Sequence, residues 1–298
     1  MADSTHLFPA LPVHDGLSKL AGDYDGFILD LWGVIHDGVA VYPGVVDCLE
    51  RLRAQAKRIV FLSNAPRRTH VIAVQLTELG VPSVLYDGIV SSGQEAYDHL
   101  NKRDDPWYAQ LGTRCYHIGP DRDRNMLEGI DLDVVKSVEA AEFLLNTGPW
   151  GEGESVADYE DILVSAAAIN VPMICSNPDI EVVRGGNRMI CAGALARRYE
   201  ELGGHVRYHG KPDREVYGHC LDILKIEDCA KVLAVGDSLR TDIAGAVGVG
   251  IDSLFVIGGL HGEEMGLKPG EAPDPDRVAD FCAEANVKPS GAIAAFTW

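Results

Sequence analysis

Short continuous apolar runs alternate along the chain with segments whose apolar residues recur at helical spacing, the pattern of strands buried on both faces of a parallel sheet and covered by helices. Phe27-Ile28-Leu29 predicts a first buried strand ending at Asp30, and Arg58–Leu62, Gly88–Ser91, Val232–Val235 and Ser253–Ile257 predict others of the same kind. Between them, Val45-Val46, Leu49 and Leu52 predict a helix over Gly44–Ala56. Val71, Ile72, Val74, Leu76 and Leu79 predict another, opened by Pro66, and Leu239–Val247 a third. Residues 1–22 read as an irregular lead-in with a short helix near Gly16–Ala21, and Gly33–Pro43 as a tight turn with a brief β excursion.

The middle of the chain repeats the theme. Arg114–Ile118, Ala141–Asn146 and Val171–Cys175 predict strands, and Ser155–Ile169 a helix with Ser155 and Asp158 as its capping box. Cys191–Glu201 predicts a further helix. Val206–His209 then reads as a strand returning to the first sheet, followed by a helix opened by Pro212. The loop 258–275 and a helix over Asp276–Ala285 close the pattern, with a short apolar segment at Gly291–Phe296. The whole predicts a doubly wound, Rossmann-like α/β core with a second α/β unit inserted. The charged patch 101–106 marks the crossing, giving residues 1–100 and 206–298 as core and 101–205 as insert.

Polar residues with chemical capacity stand at or just past several of these strands: Asp30, Ser63-Asn64, Lys211, and Gly236-Asp237 with Asp242. Taken singly, Asp30 is a turn cap or a working group, Ser63-Asn64 an N-cap, and Lys211 a solvated cation. Residues beyond the carboxyl ends of parallel strands converge on one crevice, however. Two acidic segments there can hold a hard cation such as Mg2+, a lysine offsets phosphate charge, and a hydroxyl donates to a phosphoryl oxygen. That set suits phosphoryl transfer.

In that order, Asp30-x-x-Gly33-Val34, Ser63-Asn64, Lys211 and Gly236-Asp237-(x4)-Asp242 resemble the four motifs of the haloacid dehalogenase superfamily of aspartate-nucleophile hydrolases. Cys175-Ser176-Asn177-Pro178-Asp179 with Gly193-Ala194-Leu195 resembles subclass IIA, which contains nitrophenyl-phosphatase-like, phosphoglycolate and pyridoxal phosphate phosphatases. The resemblance implies that the insert is a cap domain. It implies catalytic roles for Asp30, Ser63 and Lys211, and a Mg2+ site made by Asp30, the Trp32 carbonyl, Asp237 and Asp242. It also implies substrate contacts from Trp32, Gly33, Asn64, Asn177, Asp179 and Arg184, the last within the glycine-rich Arg184-Gly185-Gly186-Asn187-Arg188 turn, whose plain reading is a solvated hairpin. Subclass relatives often pair as homodimers through their caps.

One position departs from the pattern. Superfamily phosphatases usually carry a second aspartate two residues after the nucleophile, as general acid and then base, and Trp32 stands there. An indole N–H donates a hydrogen bond but exchanges no proton near neutral pH. Loss of such a group costs about 10²–10⁴-fold in rate. His36 and His209 are the nearby groups of suitable intrinsic pKa. The expected function is therefore a Mg2+-dependent phosphatase of a small phosphorylated metabolite, slowed or redirected by Trp32. The alternative is a catalytically silent phosphometabolite-binding protein, and a third reading is a site closed by tryptophan around a hydrophobic phosphonate or halo-acid.

Composition narrows the partners. A length of 298 residues favours two domains, and a net charge of -19 without a basic stretch opposes binding to nucleic acid or anionic membranes. Seven cysteines without a Cys-x-x-Cys pair fit reduced thiols. Residues 1–16 lack the basic start and apolar run of a signal peptide, and no later run approaches membrane-spanning length, so a soluble cytoplasmic protein is expected.

Overall fold

The computed structural model describes residues 11–262, 265–266 and 274–298. The chain forms two units, one of Met1–Leu62, Ala73–Ile89 and Pro212–Trp298, the other of Ser63–Ile72 and Val90–Lys211.

The first sheet has seven strands in the spatial order Val13–His14, Gly291–Ile293, Asp252–Val256, Val232–Gly236, Gly26–Leu29, Arg58–Ser63 and Gly88–Ser91. Pairing is parallel from Val13–His14 across to Arg58–Ser63. Parallel neighbours require crossovers, and the helices Val45–Ala54 and Thr69–Glu78 supply two of them. After Gly26–Leu29 the chain adds strands on one side. When Val232–Gly236 pairs on the other side, the later strands build outward in the opposite direction. The topological switch point therefore lies between Gly26–Leu29 and Val232–Gly236, where folds of this class bind ligands. Phe27, Ile28, Leu29 and Val232 to Val235 are all buried, each large side chain contributing about 1.5–3 kcal/mol of burial, which fixes these two strands as the centre of the sheet.

Several boundaries differ from the sequence pattern. The lead-in is partly regular: Val13–His14 forms the edge strand against Gly291–Ile293, and Leu17–Lys19 is a 3-10 turn with Leu17 buried, while residues 1–10 lie outside the described residues. Pro66 does not open its helix. Pro66 and Arg67 form a bend, and the helix starts at Thr69, whose N–H and hydroxyl both donate to Gln94 Oε1. Pro212 is likewise outside its helix, because Asp213 is the better N-cap and accepts from Glu215 N–H at 2.9 Å. Of the loop 258–275, residues 263–264 and 267–273 lie outside the described residues.

The second unit has its own parallel sheet, ordered Val206–Tyr208, Met173–Cys175, Phe143–Asn146, Arg114–Ile118 and Asp133–Val134. Val206–Tyr208 thus belongs here and not to the first sheet. Val206 and Tyr208 pack on the cluster of Ile118, Leu144, Leu163, Met173, Leu195 and Tyr199, and that burial decides the pairing. The Ser155/Asp158 capping box is present, but it opens a 3-10 turn, Val156–Tyr159, which leads into the helix Glu160–Ala168. Glu181–Arg184 and Asn187–Ile190 form a separate antiparallel hairpin. Its turn residues, Gly185 and Gly186, both have positive φ, the conformation of a tight I′ hairpin turn.

All seven cysteines are free thiols. Among the described residues, no helix is long and apolar enough to cross a membrane.

Candidate active site

Gly26–Leu29 and Val232–Gly236 end side by side, with Asp30 N–H donating to Val235 O at 2.9 Å. Each strand delivers an acid at that point. Asp30, Asp237 and Asp242 are buried, and one carboxylate oxygen from each lies within 4.8 Å of the others. Asp242 reaches the cluster through a π-helical turn, Leu239–Ile243, in which Ile243 N–H bonds back to Ser238 O. Such single-turn bulges re-aim side chains and are frequent at functional sites. The sequence pattern predicted an ordinary helix from Leu239; the α-helix begins at Ala244.

The acids are oriented by main-chain donors. Leu31 N–H bonds Asp30 Oδ1 at 2.8 Å, Leu260 N–H bonds Asp237 Oδ2 at 2.7 Å, and Ser238 N–H bonds Asp242 Oδ2 at 3.2 Å. Three buried carboxylates this close repel one another unless a cation lies among them. A hard all-oxygen donor set of this kind fits Mg2+ or Ca2+. The negative field is also felt by Tyr42: burial first, then the charges of Asp237 and Asp37, push its hydroxyl up to about 12.

Gly33 closes the turn above this cluster with φ +82, and a Cβ there would stand 1.8 Å from Asp237 Oδ2. The β excursion expected over Gly33–Pro43 consists of isolated bridges that reach back to Trp32: Trp32 to His36, and His36 to Val41. The indole stands edge-on to the His36 ring, centroids 5.4 Å apart, and lies over Gly38, where a Cβ would meet it at 2.4 Å. His36 Nδ1 accepts from Gly38 N–H at 3.0 Å, so Nε2 is the protonated nitrogen of the neutral ring.

The second unit gathers a different group. Ser63 ends its strand and its Oγ accepts from Ala65 N–H at 3.2 Å. Asn64 faces Lys211 and Asp179: its Oδ1 accepts from Lys211 N–H at 2.8 Å, and its Nδ2 donates to Asp179 Oδ1 at 2.9 Å and to Lys211 O at 3.4 Å. Asn177 Oδ1 accepts from Asp179 N–H, an Asx turn that shapes Asn177-Pro178-Asp179. Gly193 packs on that turn so closely that a Cβ would lie 2.4 Å from Pro178 O, which accounts for glycine in Gly193-Ala194-Leu195. Arg184 is engaged elsewhere, in an ion pair with Glu152 at 2.6 Å.

Sequence reasoning missed a buried group behind Lys211. Glu95, His99, Tyr108 and His209 meet there, and His209 has both ring nitrogens committed, Nδ1 to Glu95 at 3.3 Å and Nε2 to the Tyr108 hydroxyl. That ties His209 into a buried side-chain network. Only the i,i+4 spacing of Glu95 and His99 on one helix hinted at the cluster. Arg67 and Asp123, paired at 3.1 Å, were also unforeseen; burial raises the Asp123 carboxyl although Arg67 and Arg122 oppose the shift.

Comparison with known proteins decides the family. The sequence model of haloacid dehalogenase-like hydrolases matches residues 27–133, and a HAD-hydrolase-like model matches residues 208–285. A solved hydrolase of the haloacid dehalogenase-like family from Brucella suis is 31% identical, with a TM-score of 0.81 over 95% of this chain and 100% of that one. The chain belongs to the haloacid dehalogenase-like hydrolase family. An acid sugar phosphatase of Staphylococcus epidermidis is 24% identical over 80% of this chain and 88% of its own length. A glycerol phosphate phosphatase of Mycobacterium tuberculosis, solved in complex with magnesium, is 22% identical with a TM-score of 0.62, covering 87% of this chain and 78% of that chain. As a haloacid dehalogenase-like hydrolase, the chain carries its acids at the switch point of the first sheet.

Proposed function

We propose that this hydrolase is a Mg2+-dependent phosphatase of a small phosphorylated metabolite with Asp30 as its nucleophile. The observation that carries the reading is the buried Asp30, Asp237 and Asp242 cluster at the switch point of the sheet. Similarity to an acid sugar phosphatase and to a magnesium-bound glycerol phosphate phosphatase supports a phosphate ester as substrate. Asp30, Asp237, Asp242 and the Trp32 carbonyl are the groups that would hold Mg2+, which supplies charge neutralisation for a bound phosphoryl group.

In this reading an Asp30 carboxylate oxygen attacks phosphorus in line. The P–O bond to the leaving group breaks as the aspartyl-phosphate forms. Ser63 donates to an equatorial phosphoryl oxygen and Lys211 offsets the charge of the transferring group. Water then attacks the aspartyl-phosphate, releasing phosphate and restoring Asp30. Trp32 supplies no proton to the leaving oxygen, so the leaving group departs as an anion or takes its proton from solvent. Activated esters such as nitrophenyl phosphate are favoured accordingly. Asn177, Asp179 and Arg184, with residues 101–205 as a cap, set substrate choice.

A second reading, a silent phosphometabolite-binding protein, is favoured by Trp32 alone. Trapping separates the two. Incubation with nitrophenyl phosphate and Mg2+ followed by acid quench is expected to yield a phosphoryl adduct that peptide mass spectrometry places on Asp30. Binding of phosphometabolites without any adduct at Asp30 would select the second reading.

A further inference from the structure

Lys211 is 2% exposed, and the backbone that carries it is tied down at three consecutive amides. His209 N–H donates to Cys175 O at 3.0 Å, Gly210 N–H to Glu95 Oε2 at 2.8 Å, and Lys211 N–H to Asn64 Oδ1 at 2.8 Å. Only the first is an ordinary backbone bond. The second and third are made by side chains more than a hundred residues away in sequence, both buried. Gly210 has φ +96, and a Cβ there would lie 2.5 Å from Asn64 Oδ1, so the turn has one conformation that fits.

Glu95 is itself fixed from behind. The same Oε2 that receives Gly210 N–H lies 3.3 Å from His209 Nδ1, and His209 Nε2 meets the fully buried Tyr108 hydroxyl. The contacts run as one chain from the Tyr108 hydroxyl through the His209 ring to Glu95. His99, one turn on from Glu95, stacks on Tyr108 with ring centroids 5.3 Å apart. A buried carboxylate is costly unless its lone pairs are satisfied, and this one is met by the Gly210 N–H immediately before Lys211 and by the His209 ring.

We propose that Glu95 is a positioning residue for Lys211, held in place by His209 and Tyr108. The inference rests on the reading that Lys211 offsets phosphoryl charge. A catalytic cation needs placement to a fraction of an ångström, and misplacement by about 1 Å can cost on the order of 10²-fold. Glu95 acts on the reaction only through that placement.

The test is a double-mutant cycle of Glu95→Ala and Lys211→Met, read both as orthovanadate affinity by calorimetry in Mg2+ buffer and as kcat on nitrophenyl phosphate. Lys211→Met alone should weaken vanadate binding and lower kcat. Glu95→Ala should weaken vanadate about 10-fold in the wild-type background and less than about 2-fold in the Lys211→Met background, since residues acting through one group are not additive. Glu95→Gln, whose amide oxygen still accepts from Gly210 N–H, should stay within about 3-fold of wild type and keeps the test open if the alanine variant does not fold. Equal losses from Glu95→Ala in both backgrounds would overturn the proposal by showing a merely structural role. So would wild-type affinity and kcat in Glu95→Ala, or a loss of more than about 10-fold in Glu95→Gln, which keeps the acceptor for Gly210 N–H. Wild-type behaviour of Lys211→Met would instead remove the reading of Lys211, and the positioning role with it.

Discussion

Gly33 shows how narrowly the acidic cluster is built. Its φ of +82 disfavours any side chain, and a Cβ would sit 1.8 Å from Asp237 Oδ2, inside the carboxylate itself. Gly33→Ala is therefore expected to push Asp237 off its bond with Leu260 N–H and to destabilise the fold by about 1–3 kcal/mol. Mg2+ should raise the melting temperature of the wild type through binding to the native state, and that rise should shrink or vanish in the variant. A variant that melts at the wild-type temperature with an undiminished Mg2+ shift would contradict the geometry. The role of Gly33 could be suspected from its place three residues after Asp30. The partner it must avoid, more than two hundred residues later, could not. The same holds for Asn64: its neighbourhood to a strand end was visible, whereas its grip on both the N–H and the C=O of Lys211 depends on a tertiary contact that no spacing encodes.

At the scale of elements, the buried strands were readable because apolar runs of that length in a parallel sheet have no other use. Helix starts were less so, since several residue types compete for them. Asp213 displaced Pro212 as the better local N-cap, whereas the bend at Pro66 comes with the tertiary pairing of Arg67 to Asp123. The π-helical turn that aims Asp242 leaves no trace in periodicity. Val206–Tyr208 pairs with Met173–Cys175 and not in the first sheet, because strand pairing is decided by the cluster on which the strand packs.

The strand Arg114–Ile118 also carries a pH dependence. Burial first, then the nearby Arg124 charge, lowers the His117 pKa from 6.5 to about 4, and the ring bonds Thr147 Oγ1 at 3.0 Å. The folded state holds this histidine neutral, whereas the unfolded chain binds a proton near its ordinary pKa. Its contribution is thus complete above about pH 6.5 and is lost as pH falls toward 4, at most ~3 kcal/mol by linkage. Denaturant unfolding at a series of pH values should show that loss of stability, and His117→Asn should flatten it. An unchanged slope in the variant would assign the effect to other groups.

For the whole molecule, the order of motifs along the chain was enough to expect a doubly wound core with an α/β insertion. The switch point is defined by a tertiary pairing, Val232–Gly236 beside Gly26–Leu29. That adjacency brings an acid from residue 30 to acids from residues 237 and 242, a closure of more than two hundred residues, and makes a site out of three separately ordinary aspartates. The net charge of -19 opposes any anionic substrate, so an anion would have to be held by local donors or a cation against the overall field of the protein.

If this scaffold performs phosphoryl transfer through Asp30, phosphate release depends on that carboxylate. Wild type, Asp30→Asn and Trp32→Asp would be assayed with and without Mg2+ on nitrophenyl phosphate and on sugar and glycerol phosphates. Wild type is expected to release phosphate from nitrophenyl phosphate in a Mg2+-dependent manner, and Asp30→Asn to release none. Trp32→Asp should gain on the alkyl esters by up to about 10²–10⁴-fold, since they need a proton at the leaving oxygen. Undiminished release by Asp30→Asn, or silence of both wild type and Trp32→Asp on every ester, would contradict the account.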